Sequence, residues 1–564
     1  MAKTGRIDWR QLIRYGLLAG VAALYVSVIG MVEVFSQRSL ITGVLTLGQL
    51  LLFSAPVLAG YLAVYKDDES QTAAFSLLKG VITGLFSSLP LIALVLLANA
   101  VNLRAMFVNV SPALIDILVF GQGTAVGVLL LLLSGAIWGT LGVIIHLLPD
   151  KTRHVVLVGL SWTLGAGMLS ELLIQVFRPL FGSGFIRFVF QGGALKLWAS
   201  IVVFILVTLL DWYWSKRREE VKTKMANLNP TQRRAGMGVG LLILLILPWI
   251  LGTYLSEVLD NVGLFILMGL GLNIAVGLAG LLDLGYVATF AIGAYVMGLF
   301  TSTSSLGVGE LNFWIVLPIS ILAAMTAGFL LALPVLHMRG DYLAITTLGF
   351  GEIIRILALS DWLSPIIGGA QGILAIPKPQ IGSFVFRGPQ EIYYLILAGC
   401  ILAIFVSSRL NNSRTGRQWM AMREDEDVAA AMGIDTTKSK VLAFTLSAAS
   451  GGLAGAIFAS KLGTIFPHSF NLLISINVLS LIIVGGMGSL PGVVVGAFAL
   501  VALPELLREF AEYRLLLYGA LLIVMMLARP EGLWPSAVRR RELKGTEEEE
   551  IEGGEGAPVA VTAD

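Results

Sequence analysis

Apolar runs of about 20 residues recur along nearly the whole chain, long enough to cross a hydrocarbon layer of roughly 30 Å as helices. A single soluble core could not hide so much apolar surface: 57% of the residues are hydrophobic, only 13% are charged and the mean hydropathy is +0.86. The sequence therefore predicts an all-α, polytopic transmembrane helical bundle. A net charge of +2 spread over short loops gives no electrostatic footprint for nucleic acid. The lone cysteine, Cys400, excludes internal disulfides and thiolate metal sites. The basic start followed by an apolar stretch from Tyr15 reads as a first span, an uncleaved anchor.

In the first part the hydrophobic periodicity predicts six spans, near 15–35, 41–64, 77–100, 119–148, 154–176 and 197–214. Glu33 and Glu171 fall near span ends, where a carboxylate reaches water or headgroups. No constellation for chemistry emerges here, so residues 1–214 form a multi-span region of unassigned role. A polar stretch at 215–236 follows, carrying Lys216, Arg217, Arg218, Lys222, Lys224, Arg233 and Arg234. So dense a basic linker is expected on the cytoplasmic side beside anionic lipid, and it marks a domain boundary.

Residues 237–536 read as about ten further hydrophobic segments, near 237–256, 262–282, 284–302, 314–335, 341–360, 392–407, 441–463, 472–487, 493–507 and 514–528. Several are too short for a full crossing and are expected to be broken or re-entrant. With a cytoplasmic N-terminus the loops obey the positive-inside rule, which also places the C-terminus in the cytoplasm. The acidic residues 537–564, with four consecutive glutamates at 547–550, are expected to be disordered.

One loop stands out by charge. Residues 416–444 carry Arg423, Glu424, Asp425, Glu426 and Asp427, followed by a small-residue helix former that includes Ala429 and Ala430 and ends at Gly433. The same topology puts this loop in the cytoplasm and the Pro- and Gly-rich loop 361–391 outside, where its stiffness suits docking. Two helix breaks interrupt apolar runs, one between Gly280 and Gly285 and one through Gly485, Gly486, Gly488, Pro491 and Gly492. Backbone freed at membrane depth must be satisfied by protein or by water, so each break marks a cavity, a hinge or a tight turn. Candidate residues of a translocation path are Asn273, Asp283, Tyr286, Glu352, Arg355 and Asn477. Glu352 and Arg355 sit one helical turn apart and can neutralise each other.

No phosphate-binding GxxxxGK[ST] loop, nucleophile elbow or metal-ligand spacing occurs, so no catalytic residue and no metal site is expected. If the chain takes part in a process powered by ATP, the ATPase is another chain, and no cofactor is expected on this one.

The blocks GLNIAVGLAGLLDLGYVATFAIGAYVMGLF at 271–300, RGDYLAITTLGFGEIIRILAL at 339–359, GGMGSLPGVVVGAF from Gly485 and RLLLYGALLIVMMLARPEGLWP from Arg514 together resemble the permease subunit of bacterial branched-chain amino-acid ABC importers. The resemblance covers about residues 237–536. It implies import of leucine, isoleucine, valine or related compounds across the inner membrane, with two ATPase subunits, a second homologous permease and an external substrate-binding protein as partners. Urea and short-chain amide importers share the family. The resemblance also implies that Glu424 through Gly433 form a short coupling helix against the ATPase. An ion-coupled secondary transporter would not need that segment, and a non-transporting scaffold or receptor is the other alternative, which the first six spans alone do not exclude. The first 220 residues carry neither the GLN block nor an acidic-Ala-Ala-Gly segment, so they do not read as a fused partner permease.

Overall fold

The computed structural model describes residues 9–65, 72–226 and 230–506, with scattered positions between 513 and 535. The expected span at 514–528 and the acidic tail fall largely or wholly outside the described residues, and so does the centre of the linker. The fold is all-α: among the described residues eleven helices are long and apolar enough to cross a membrane. Two compact units partition the chain, residues 1–238 and 239–564.

In the first unit the helices Leu47–Val64, Ala73–Ala100 and Thr124–Leu147 pack backbone to backbone. Glycines make this possible: a Cβ at Gly84 would strike the carbonyl of Gly135, and one at Gly60 that of Gly139. Close approach through small residues is how helices associate where lipid offers no hydrophobic drive, and Ser88 adds a bond to the Leu131 carbonyl at 3.0 Å. The first span ends earlier than the sequence suggested. Helix Trp9–Val28 stops before Gly30, whose φ of +91° starts a separate short helix, Met31–Ser36. Glu33 on that helix accepts from Ser111 Oγ at 2.6 Å.

The expected span near 41–64 begins only at Leu47, because Ser39–Ile41 and Leu45–Thr46 are strands of a small four-stranded sheet completed by Phe190–Gln191 and Ala194–Leu195. Thr46 and Gln49 then close a capping box on the helix. The expected span at 154–176 is also corrected: Asp150–Met168 and the helix starting at Ser170 meet at a bend of 72°. Arg38 donates to the freed Met168 carbonyl at 2.7 Å, which satisfies the bend. Helix Leu197–Ala226 runs on through the start of the basic stretch, and helix Pro230–Leu272 begins within it. Much of what composition marks as a linker is therefore helical.

In the second unit the first two segments meet at a kink and not at a loop. The two expected at 237–256 and 262–282 follow each other as helical stretches of Pro230–Leu272, bent near Pro248 and broken at Gly252, whose φ of +77° and ψ of −175° are not helical. Proline removes a donor and clashes with the preceding turn. The carbonyls nearby are taken up by the Pro389–Asn411 helix: Leu244 by Tyr393 Oη at 3.1 Å, Leu245 by Tyr394 Oη at 2.7 Å and Pro248 by Gln390 at 3.2 Å. A kink so well compensated needs no polar loop, and the break between the two stretches falls at Gly252, a few residues before the gap expected at 257–261.

Helix Thr436–Leu462 is the axis of this unit. It packs along Val287–Thr301 and Phe313–Val335 through a face of Ser447, Gly451, Gly452 and Gly455. Helices Gly340–Leu359, Leu472–Gly485 and Leu490–Ala497 complete the bundle. The loop 361–391 folds over one end as short turns and a hairpin, Gln380–Ile381 with Phe384–Val385. It is tied to the chain just after the axial helix by an antiparallel bridge between Ile373 and Ile465.

Candidate functional site

At the other end of the unit the charged loop folds as two helices, Arg414–Glu424 and Glu426–Ala431. Arg423 and Glu424 therefore belong to the helix before the acidic-Ala-Ala segment. Asp425 divides the two, and its carboxylate accepts the amides of Asp427 and Val428, both at 2.9 Å. Gly433, at φ +86°, ends the second helix. Its amide bonds Ala430 O and the Ile434 amide bonds Ala429 O, a Schellman closure. Ile434 and the buried Ala429 pack into the core beneath. The opposite face is bare, with Val428 58% and Met432 79% exposed, one helical turn apart. Glu424, Asp425 and Ala430 are exposed as well.

Two cations hold this short helix, and a third ties the helix before it to the core. Arg339, just before the Gly340–Leu359 helix, grips Asp427 at 2.8 and 2.9 Å and Glu426 at 3.2 Å. Asp427 and Arg339 shift each other: the guanidinium lowers the carboxyl below its ordinary value, and the carboxylates raise the guanidinium. Lys440, buried on the axial helix, takes the other Glu426 oxygen at 2.8 Å and the Leu336 carbonyl at 3.1 Å. Arg423 turns inward and donates to Gly277 O at 2.7 Å.

That last contact joins the charged loop to both helix breaks. After Leu272 the chain makes a π-helical turn, Asn273–Leu278, and then unwinds; Gly280 (φ +71°) lies directly against Arg423. Asp283 Oδ1 accepts the Gly285 amide at 2.9 Å, Thr347 Oγ1 the Leu284 amide at 3.0 Å and Ser475 Oγ the Val287 amide at 3.0 Å. A side chain at Gly285 would collide with Thr347 O. At the second break Gly488 donates to Asn273 Oδ1 at 2.9 Å, so the two breaks touch through Asn273. Ser489 caps the next helix, in which Pro491 occupies the first turn, and Gly485 and Gly492 meet backbone to backbone. The Val484 and Gly485 carbonyls accept from Leu533 and Trp534, both at 2.8 Å, with Gly486 resting on Gly532.

Protein groups thus satisfy both breaks. Asn273, Asp283 and Tyr286 are buried and engaged, Tyr286 with the Ser447 carbonyl at 3.4 Å. Glu352 and Arg355 pair at 2.8 Å and are part exposed, and Asn477 is half-buried; the structure does not bring these three to the Arg423 cluster. Sequence reasoning missed Arg339, Lys440, Thr347 and Ser475. Arg339 and Lys440 flank apolar runs and could have been matched with the acidic run by charge, but two hydroxyls inside helices give no signal.

A further cluster lies at the hairpin end. Lys461 contacts Glu257 at 2.9 Å and Asn261 at 2.7 Å and lies 3.9 Å from Asp260, which is wholly buried.

Eleven helices long and apolar enough to cross a membrane, among the described residues, make this a multi-pass membrane protein. Residues 254–526, all within the second unit, match the family described as branched-chain amino acid transport system / permease component. Over 304 residues, half of this chain and 70% of each relative, it is 42% and 43% identical to the high-affinity branched-chain amino acid transport system permease protein LivM of Salmonella typhimurium and of Escherichia coli. Identity to LivH of Salmonella typhimurium, a permease protein of the same named system, is 22% over 95% of its length. The chain belongs to this permease family. No solved structure matches it.

Proposed function

We propose that this chain is the permease subunit of an ATP-driven importer of leucine, isoleucine, valine or related compounds in the bacterial inner membrane. The observation that carries the reading is the bare Val428 and Met432 face on a short helix braced by Arg339 and Lys440 and wired through Arg423 to both breaks. Such a knob suits the groove of an ATPase subunit, two of which bind and hydrolyse the ATP that this chain has no phosphate loop to hold. A second, homologous permease completes the pore, with Glu352, Arg355 and Asn477 lining the path and Asn273, Asp283 and Tyr286 shaping it from behind. Both termini and the coupling loop lie in the cytoplasm. Loop 361–391 receives a substrate-binding protein outside. Residues 1–214 form a separate multi-span region, joined by a basic stretch held at anionic lipid.

Co-purification tests the reading. The intact chain is expected to carry two ATPase chains and a homologous permease, and Val428→Glu/Met432→Glu is expected to release the ATPase chains while still inserting in the membrane. Purification as a self-sufficient homodimer would favour an ion-coupled carrier. ATP-dependent uptake of urea or a short amide in place of leucine would move the substrate within the family.

A further inference from the structure

We propose that helix Thr436–Leu462 is a rigid strut that transmits movement between the two faces of the membrane, with Lys440 and Lys461 as its positioning residues. The inference rests on the coupling reading above, because it needs the helix Glu426–Ala431 to be where force enters.

The geometry comes from the two lysines. From Lys440 to Lys461 the helix rises about 31 Å at 1.5 Å per residue, close to the roughly 30 Å of a bilayer's hydrocarbon. Both are buried, at 3% and 6% exposure, although a lysine at a span end ordinarily extends its ammonium into water. Burying an ammonium is costly unless it is paired, so each must keep its partners. Lys440 keeps Glu426 and the Leu336 carbonyl. Lys461 keeps Glu257 and Asn261 and is the cation beside Asp260, whose two carboxylate oxygens have no hydrogen-bond partner among the described residues.

The far end is fastened to the docking loop by more than charge. Lys378 of loop 361–391 donates to the Lys461 carbonyl, and Ile376 donates to Gly463 O at 2.8 Å. Between the ends nothing yields easily. The helix contains no proline and no left-handed residue before Gly463, and its glycines are packed in, Gly451 on the Thr289 side chain, Gly452 on Gly293 and Gly455 on the Phe290 carbonyl. Displacing Glu426 pulls Lys440, the strut moves as a body, and Lys461 carries the loop with it.

Paired spin labels test this in the complete complex with its ATPase subunits, reconstituted in lipid discs in a Cys400→Ser background. A label at Ala431→Cys reports docking, and one at Ile381→Cys, an exposed hairpin position, reports transmission. Trapping the ATPase with ATP and vanadate is expected to change the Ile381 spectrum. Lys461→Arg should keep that change, while Lys461→Met/Asp260→Asn, which removes the pair together, should abolish it. Lys378→Met, a part-exposed loop substitution that leaves the buried pair intact, should at least halve it and serves if the double variant does not assemble. An unchanged Ile381 spectrum in the parent complex, or a full change in both Lys378→Met and the double variant, would overturn the strut. If the Ala431 label fails to respond to ATPase chains, the coupling reading falls instead. Response at Ala431 with silence at Ile381 sinks only the strut.

Discussion

Arg423 and Gly277, 146 positions apart in the chain, are joined by a 2.7 Å hydrogen bond from guanidinium to carbonyl. Gly277 lies in the π-helical turn before the first break, and Asn273 of the same turn holds the second break through Gly488. One side chain at the surface loop therefore reaches the points where two membrane helices lose their continuity. Arg423→Met removes a charged hydrogen bond, which is expected to cost about 1.5–3 kcal/mol. ATPase chains should still bind, because Val428 and Met432 are untouched, while uptake per ATP hydrolysed falls at least tenfold. Parallel hydrolysis and uptake assays on the reconstituted complex check it.

Gly433 separates backbone geometry from bulk. A Cβ there would meet nothing within 4 Å, so space is not the issue. Its φ of +86° is. Gly433→Val is expected to cost about 1–3 kcal/mol for a β-branched residue in that region, and Gly433→Asn much less. Retention of ATPase chains on the purified permease should follow the order Gly, Asn, Val; equal loss in Asn and Val would point to bulk at the contact.

The Arg339 clamp predicts a pH response. Its guanidinium lowers the Asp427 carboxyl below 3.8, so the folded value is depressed. A depressed carboxyl contributes its attraction fully above the unfolded value and loses it only as pH falls through the lower folded one. Binding of ATPase chains should therefore not vary through Asp427 between pH 8 and pH 5. Both groups are exposed, so salt weakens the pair. Arg339→Glu should weaken ATPase binding, and Arg339→Glu/Asp427→Arg should recover part of it, as measured by pull-down.

Asp283 closes the first break through the Gly285 amide. Asp283→Asn keeps an acceptor oxygen and should be tolerated. Asp283→Leu leaves a buried amide unsatisfied, at about 1–3 kcal/mol, and should lower the thermal midpoint of the purified permease relative to the Asn variant.

Much of this was legible in the sequence because apolar length and loop charge are direct physical signals. The helices Phe313–Val335, Gly340–Leu359 and Thr436–Leu462 lie within a few residues of their apolar runs, and the breaks fall at the glycines that mark them. What hydropathy could not carry was compensation at a distance. Pro248 and Gly252 fall inside the expected segment 237–256, yet the chain kinks there, and Tyr393, Tyr394 and Gln390 satisfy the nearby carbonyls. In the charged loop 416–444, Arg423 looked like part of a surface charge run, and its inward turn depends on Gly277 and Gly280, which the chain supplies far upstream.

In the function proposed above, ATP hydrolysis by partner chains drives this permease through the braced helix Glu426–Ala431. The most direct measurement is uptake of labelled leucine by proteoliposomes containing the full complex and the external binding protein, with ATP enclosed. Uptake should need ATP and disappear in Val428→Glu/Met432→Glu. Uptake sustained by an ion gradient without ATPase chains, or unchanged in that variant, would contradict it.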